Sequence, residues 1–100
     1  MSVPFVAPSG AAPRRLVIET EPETNALLRV LEPFVIHNVL PARVDAECPG
    51  EAGAVRITVH FDAPDALAQR LEARISTLVC VREARLSGGW GASRPVDAAA

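Results

Sequence analysis

An α+β fold with the element order β-α-β-β-α-β is predicted by three observations on this 100-residue chain. Two stretches alternate apolar and polar residues: Leu40, Ala42, Val44, Ala46 and Cys48, then Val55, Ile57, Val59 and Phe61. Two others repeat apolar residues at helical spacing: Leu27, Val30, Leu31 and Phe34, then Leu67, Leu71, Ile75 and Leu78. A β-rich run precedes the first helical pattern and another follows the second. Alternation marks a strand with one dry face, and the longer period marks an amphipathic helix.

The first strand is expected over residues 14–20, where Arg15-Leu16-Val17-Ile18-Glu19 is rich in branched side chains. Thr20-Glu21-Pro22-Glu23-Thr24-Asn25 then supplies polar cap residues and a proline, which suit a helix start because its leading N–H groups lack partners. The first helix is expected over residues 23–36, with Pro33 loosening its last turn because proline donates no hydrogen bond four residues back. The second strand covers residues 40–48, with Leu40, Ala42, Val44, Ala46 and Cys48 on its dry side. Pro49-Gly50-Glu51-Ala52-Gly53 reads as a turn, so residues 40–61 make an antiparallel hairpin. Asp62 is expected to cap the second helix, with Pro64 in its first turn. The last strand runs over residues 78–86 and stops at Ser87-Gly88-Gly89.

This order defines the ferredoxin-like arrangement. Right-handed crossovers place both helices on one face of a four-stranded antiparallel sheet of order 4-1-3-2. Cys48 and Cys80 then sit on opposite edge strands, ~14 Å apart across three strand spacings, beyond disulfide reach. On the uncovered face, Arg43, Asp45, Arg56, Thr58 and His60 are joined by Val17 and by one of the Leu78 and Val79 sets. A half-apolar open face and two bare edges predict a homodimer. Residues 1–13 and 87–100 read as flexible tails around a domain of residues 14–86; Trp90 is either a free tail residue or an anchor for a partner.

Composition narrows the function. Apolar residues make up 49% of the chain, enough for one core, and only four aromatics occur: Phe5, Phe34, Phe61 and Trp90. All ten basic residues are arginine and the net charge is −2, so no global field recruits nucleic acid or an anionic membrane. No apolar run reaches the ~20 residues that cross a bilayer, and the first eight residues lack the basic start of a signal peptide. A cytoplasmic location is expected. Two cysteines without metal-ligand spacing read as small apolar side chains. No nucleophile–base pair and no isolated pair of carboxylates presents itself. Neither enzyme activity, cofactor nor metal is expected.

Several functions of the ferredoxin-like fold lack their residues here. There is no Cys-x-x-Cys after the first strand for a heavy metal. Stacking aromatics for RNA are missing from the central strands. The first turn holds no glycine for a phosphate cradle. What the sequence does resemble is the ACT domain, specifically the short regulatory subunit of acetohydroxyacid (acetolactate) synthase. The resembling residues are Glu21-Pro22-Glu23-Thr24 opening the helix, Leu28-Arg29-Val30-Leu31 within it and Phe34 toward its end. His37-Asn38-Val39 leads into strand two, and Ala54-Val55-Arg56-Ile57-Thr58-Val59 resembles the third strand. Residues 70–86 resemble the closing helix and strand.

The resemblance implies a non-catalytic regulatory module of branched-chain amino-acid biosynthesis. Its implied partners are a catalytic synthase subunit, a second copy side by side, and an amino-acid effector between the first turn and the start of strand two. That places the ligand corner at Thr24, Asn25, His37, Asn38 and Val39, where the Asn38 amide would accept from an ammonium and donate to a carboxylate. Asn38 also suits a positive-φ turn at the helix end. Glu21 and Glu23 would favour the helix dipole by ~0.3–1 kcal/mol each while opposing a docking carboxylate. The other reading is a stand-alone sensing or dimerisation module with an unrelated partner.

Overall fold

The computed structural model describes residues 11–48 and 53–88. Strand β1 spans Ala12–Thr20, helix α1 Ala26–Ile36, β2 Arg43–Glu47, β3 Val55–Ala63, α2 Asp65–Ser76 and β4 Val81–Gly88. The sheet order is β2-β3-β1-β4 with every pair antiparallel, as the sequence predicts. The segments expected as tails fall mostly outside the described residues, as do Trp90 and residues 49–52 of the hairpin turn. No helix among the described residues is long and apolar enough to cross a membrane.

Alternation decides which face is covered. Leu16 and Ile18 of β1 and Ile57, Val59, Phe61 and Ala63 of β3 are fully buried on one side of the sheet. Val30 and Phe34 of α1 and Ala68, Leu71 and Ile75 of α2 pack against them. Both helices therefore lie on one face. At the centre, Phe34 meets Phe61 edge to face, with centroids 5.1 Å apart and planes at 77°, the arrangement the ring quadrupoles favour.

The boundaries differ from the expected ones for local reasons. Helix α1 begins at Ala26, not residue 23. The Glu21 amide donates to Cys80 O, and Glu23 N folds back on Glu21 O, so residues 21–25 form a turn. Glu21 and Glu23 thus precede the helix, whose first turn carries no acidic residue, and the expected dipole stabilisation does not arise. Asp62 continues β3 opposite Pro13 and caps nothing; Pro64 is the N-cap of α2. Despite Pro33, α1 continues to Ile36, because the buried proline ring packs where only the Arg29 carbonyl loses a donor.

Two strands also change character. Strand β2 is shorter than predicted, and its apolar side is not dry: Val44 and Ala46 remain exposed. It is an edge strand that no helix fully covers. Strand β4 begins at Val81, after a turn in which Leu78 packs on the core and Val79 stands in solvent. Cys48 follows β2 and Cys80 precedes β4, so neither lies within its strand, and both are free thiols at opposite edges.

Candidate functional site

The five sequence-predicted residues fall at the two ends of α1. Thr24 and Asn25 are exposed in the turn before it, and Asn25 is the N-cap without a side-chain cap hydrogen bond. His37, Asn38 and Val39 follow its last turn. Eleven helical residues at 1.5 Å each separate the two groups by ~16 Å. A single chain does not bring them together.

The C-terminal group is held by a Schellman motif. Val39 N donates to Phe34 O at 2.8 Å and Asn38 N to Val35 O at 3.1 Å, while Asn38 adopts φ 58°. This pair of bonds, with a left-handed residue just past the helix, satisfies carbonyls that would otherwise be orphaned. Val39 is buried beside Phe34, completing the apolar contact that accompanies the motif. Asn38 thus has a structural role in its backbone and leaves its amide side chain in solvent. His37 is half-buried, and its Nε2 is buried without a hydrogen-bond partner among the described residues.

Beside this motif lies a cavity of about 450 Å³, walled by Leu31, Phe34 and Val35 of α1 and by Val39, Leu40 and Pro41 after it, with Asn38 at its rim. Of the residues the sequence points to, Asn38 and Val39 border this cavity; its other aliphatic walls were not among them. Their signal was an excess of apolar residues in the helix. Leu28, Leu31 and Val35 form a second stripe beside the core-facing one, and Leu28 is 72% and Val35 77% exposed. A helix apolar on more than one face is normally covered on both. Because Leu31 and Val35 share the cavity with the segment leading into β2, this stripe faces the β2 edge of the sheet.

Around the first turn the groups are polar. A smaller cavity of about 290 Å³ is lined by Glu23, Arg29, Val79 and Cys80. Glu21 is held by Arg82 in a two-point ion pair at 2.8 and 2.9 Å. These hydrogen bonds hold the Glu21 carboxyl below the usual carboxylate range and raise the Arg82 guanidinium. Among the described residues no group of three His, Cys, Asp or Glu could hold a metal ion.

The two edges of the sheet are not equivalent. At β4 the Glu72 carboxylate of α2 accepts from the Leu86 backbone N–H at 3.0 Å, engaging a donor of that edge. At β2 the edge lies beside exposed Val44, Leu40 and the outer stripe of α1.

The four-stranded antiparallel sheet of order β2-β3-β1-β4 with both helices on one face is a ferredoxin-like, ACT-like fold. No protein-family profile and no curated protein matches the chain, whereas solved structures do. The C-terminal domain of the MgtC protein from Mycobacterium tuberculosis superposes with a TM-score of 0.68 at 17% identity, covering 90% of this chain and 100% of that one. The ACT domain of GTP pyrophosphokinase from Chlorobium tepidum gives 0.68 at 6% identity, over 81% and 91% of the two chains. A homoserine dehydrogenase from Thiobacillus denitrificans gives 0.66 at 10% identity, covering 78% of this chain but 17% of that enzyme. At these identities the likeness is one of fold.

Proposed function

We propose that this protein is a non-catalytic regulatory module that pairs side by side through β2 and the outer stripe of α1 and tunes a larger enzyme. The observation that carries the pairing is the exposed apolar stripe of α1 beside an uncovered edge strand. A two-fold axis normal to the sheet would continue the sheet across β2 and lay the two α1 stripes together. It would also run α1 antiparallel to its copy. Thr24 and Asn25 of one protomer would then approach Asn38 and Val39 of the other, joining the two halves that one chain keeps apart. A small amino acid with an aliphatic side chain suits such a corner: the cavity wall is apolar, and the polar groups lie at its rim.

For the enzyme that is tuned, the residue resemblance at 21–24, 28–31, 37–39 and 70–86 favours an acetolactate synthase type of branched-chain amino-acid biosynthesis. Reconstitution with a thiamine-diphosphate-dependent synthase subunit tests this. Co-elution with a changed rate is expected; separate elution with an unchanged rate overturns it. Homoserine dehydrogenase, in which the same fold is a small part of the chain, favours a second reading, in which the module serves an unrelated enzyme. Thermal shift against the twenty amino acids separates the two. A bound effector at 100 times its Kd should add about 2.7 kcal/mol of apparent stability, and a response confined to non-branched amino acids favours the second reading.

A further inference from the structure

The face of the sheet opposite the helices is not half-apolar, as the sequence suggests, but charged in ordered rows. The strand register places Arg43, His60, Arg15 and Ser87 in one cross-strand row. The next row holds Asp45, Thr58, Val17 and Arg85, and the third Glu47, Arg56, Glu19 and Glu83. The expected apolar contribution of Leu78 and Val79 is missing because both precede β4. The first row thus carries two arginines, with the exposed Asp62 carboxylate in the row beyond it opposite Pro13, while the third sets three glutamates against one arginine. Some of this charge is matched within the chain: Arg43 with Asp45 at 2.9 Å, Arg85 with Glu83 at 3.7 Å, and Arg56 with both Glu19 and Glu47 at 3.6 and 3.8 Å. Arg15 donates to the Ser87 hydroxyl. Among the described residues, these pairs leave Arg15 without a matching carboxylate in the arginine row and one glutamate in excess in the third.

Such a gradient is self-complementary in one orientation only. A two-fold axis lying in the interface across the strands sets the arginine row of one copy on the glutamate row of the other. An axis along the strands sets like on like. We infer that the open sheet face docks on the open face of a second copy, with strands reversed and arginine rows over glutamate rows. One four-stranded face spans roughly 19 by 20 Å, about 400 Å², which is too little for a stable contact. Taking the side-by-side pairing proposed above, two protomers present eight strands, and stacking two such pairs buries about 1,600 Å² in total, the size of a specific interface. The geometry is consistent. The axis normal to the sheet reverses the gradient in the second protomer, so the pair carries an alternating pattern that remains complementary to a reversed copy of itself. The assembly is then a dimer of dimers held by charge, and it loosens as salt screens it.

Sedimentation of the full chain at low and high salt tests this. A tetramer that becomes a dimer supports both contacts, whereas a dimer that becomes a monomer sinks the side-by-side pairing and, with it, the stacked assembly. A mass independent of salt overturns the face contact. Charge reversal makes the test specific. Arg15→Glu with Arg43→Glu and, separately, Glu19→Arg with Glu83→Arg should each abolish the salt-sensitive step, since each sets like charges together. Mixed in equal amounts, the two variants should recover it at least tenfold over either alone, which also shows that both are folded. No recovery on mixing overturns the proposal.

Discussion

Asn38 joins local conformation to candidate function within one residue. Its positive φ closes the Schellman motif, and its exposed amide stands at the rim of the apolar cavity. A glycine meets the backbone requirement alone, and a β-branched residue meets neither. Asn38→Gly should leave stability within ~0.5 kcal/mol, whereas Asn38→Val should lose ~1–2 kcal/mol in urea unfolding. If the amide contacts an effector, the glycine variant loses ligand-induced thermal shift at unchanged stability. His60 gives a second residue-scale prediction. Partial burial and then the Arg43 guanidinium hold its imidazole below its ordinary value of 6.5. The unfolded chain therefore binds the proton more readily than the folded one, and stability falls as pH drops through and below 6.5. At high salt, Tm should decline on moving from neutral pH toward pH ~5, and His60→Gln should lessen that decline. An unchanged slope in the variant would assign it to other groups.

At the scale of elements, the contact between Phe34 and Phe61 fastens α1 to the central strand β3. Both rings are fully buried, so truncation leaves a cavity that close-packed neighbours refill only in part. Phe61→Ala should cost ~3–5 kcal/mol by urea unfolding. A loss below 1 kcal/mol would show that the core collapses readily around it. The elements themselves were legible in the sequence. The alternation of β3 and the spacing of Leu67, Leu71 and Ile75 each report a burial pattern that the structure reproduces. Element ends were less legible. The start of α1 depends on the Glu21 amide reaching Cys80 O and on the Glu21 carboxylate reaching Arg82. Those partners are about sixty residues away, beyond any local rule.

For the whole molecule, the decisive contrast lies between the two sheet edges. One has Glu72 on a backbone donor of β4; the other leaves β2 beside the aliphatic stripe of α1. Leu28 and Val35 are too exposed to support the core of their own chain. Replacing both with aspartate should keep the fold and drive the high-salt species to monomer, as read by sedimentation and circular dichroism. A dimer that persists in that variant would place the pairing elsewhere. The predicted site shows the same division of scale. Asn38 and Val39 lie just past the helix, as the sequence places them, but only the helix length reveals that Thr24 and Asn25 lie at its far end.

The sequence by itself determined the order of elements, the buried side of β1 and β3 and the antiparallel sheet of four strands. Each of these follows from periodicity, which neighbouring residues impose on one another through backbone geometry. Tertiary structure alone decided which apolar residues stay outside, which edge is engaged and how charge is graded across the open face. Those properties depend on register between strands distant in the chain, where a shift of one residue would exchange the two faces and every row upon them.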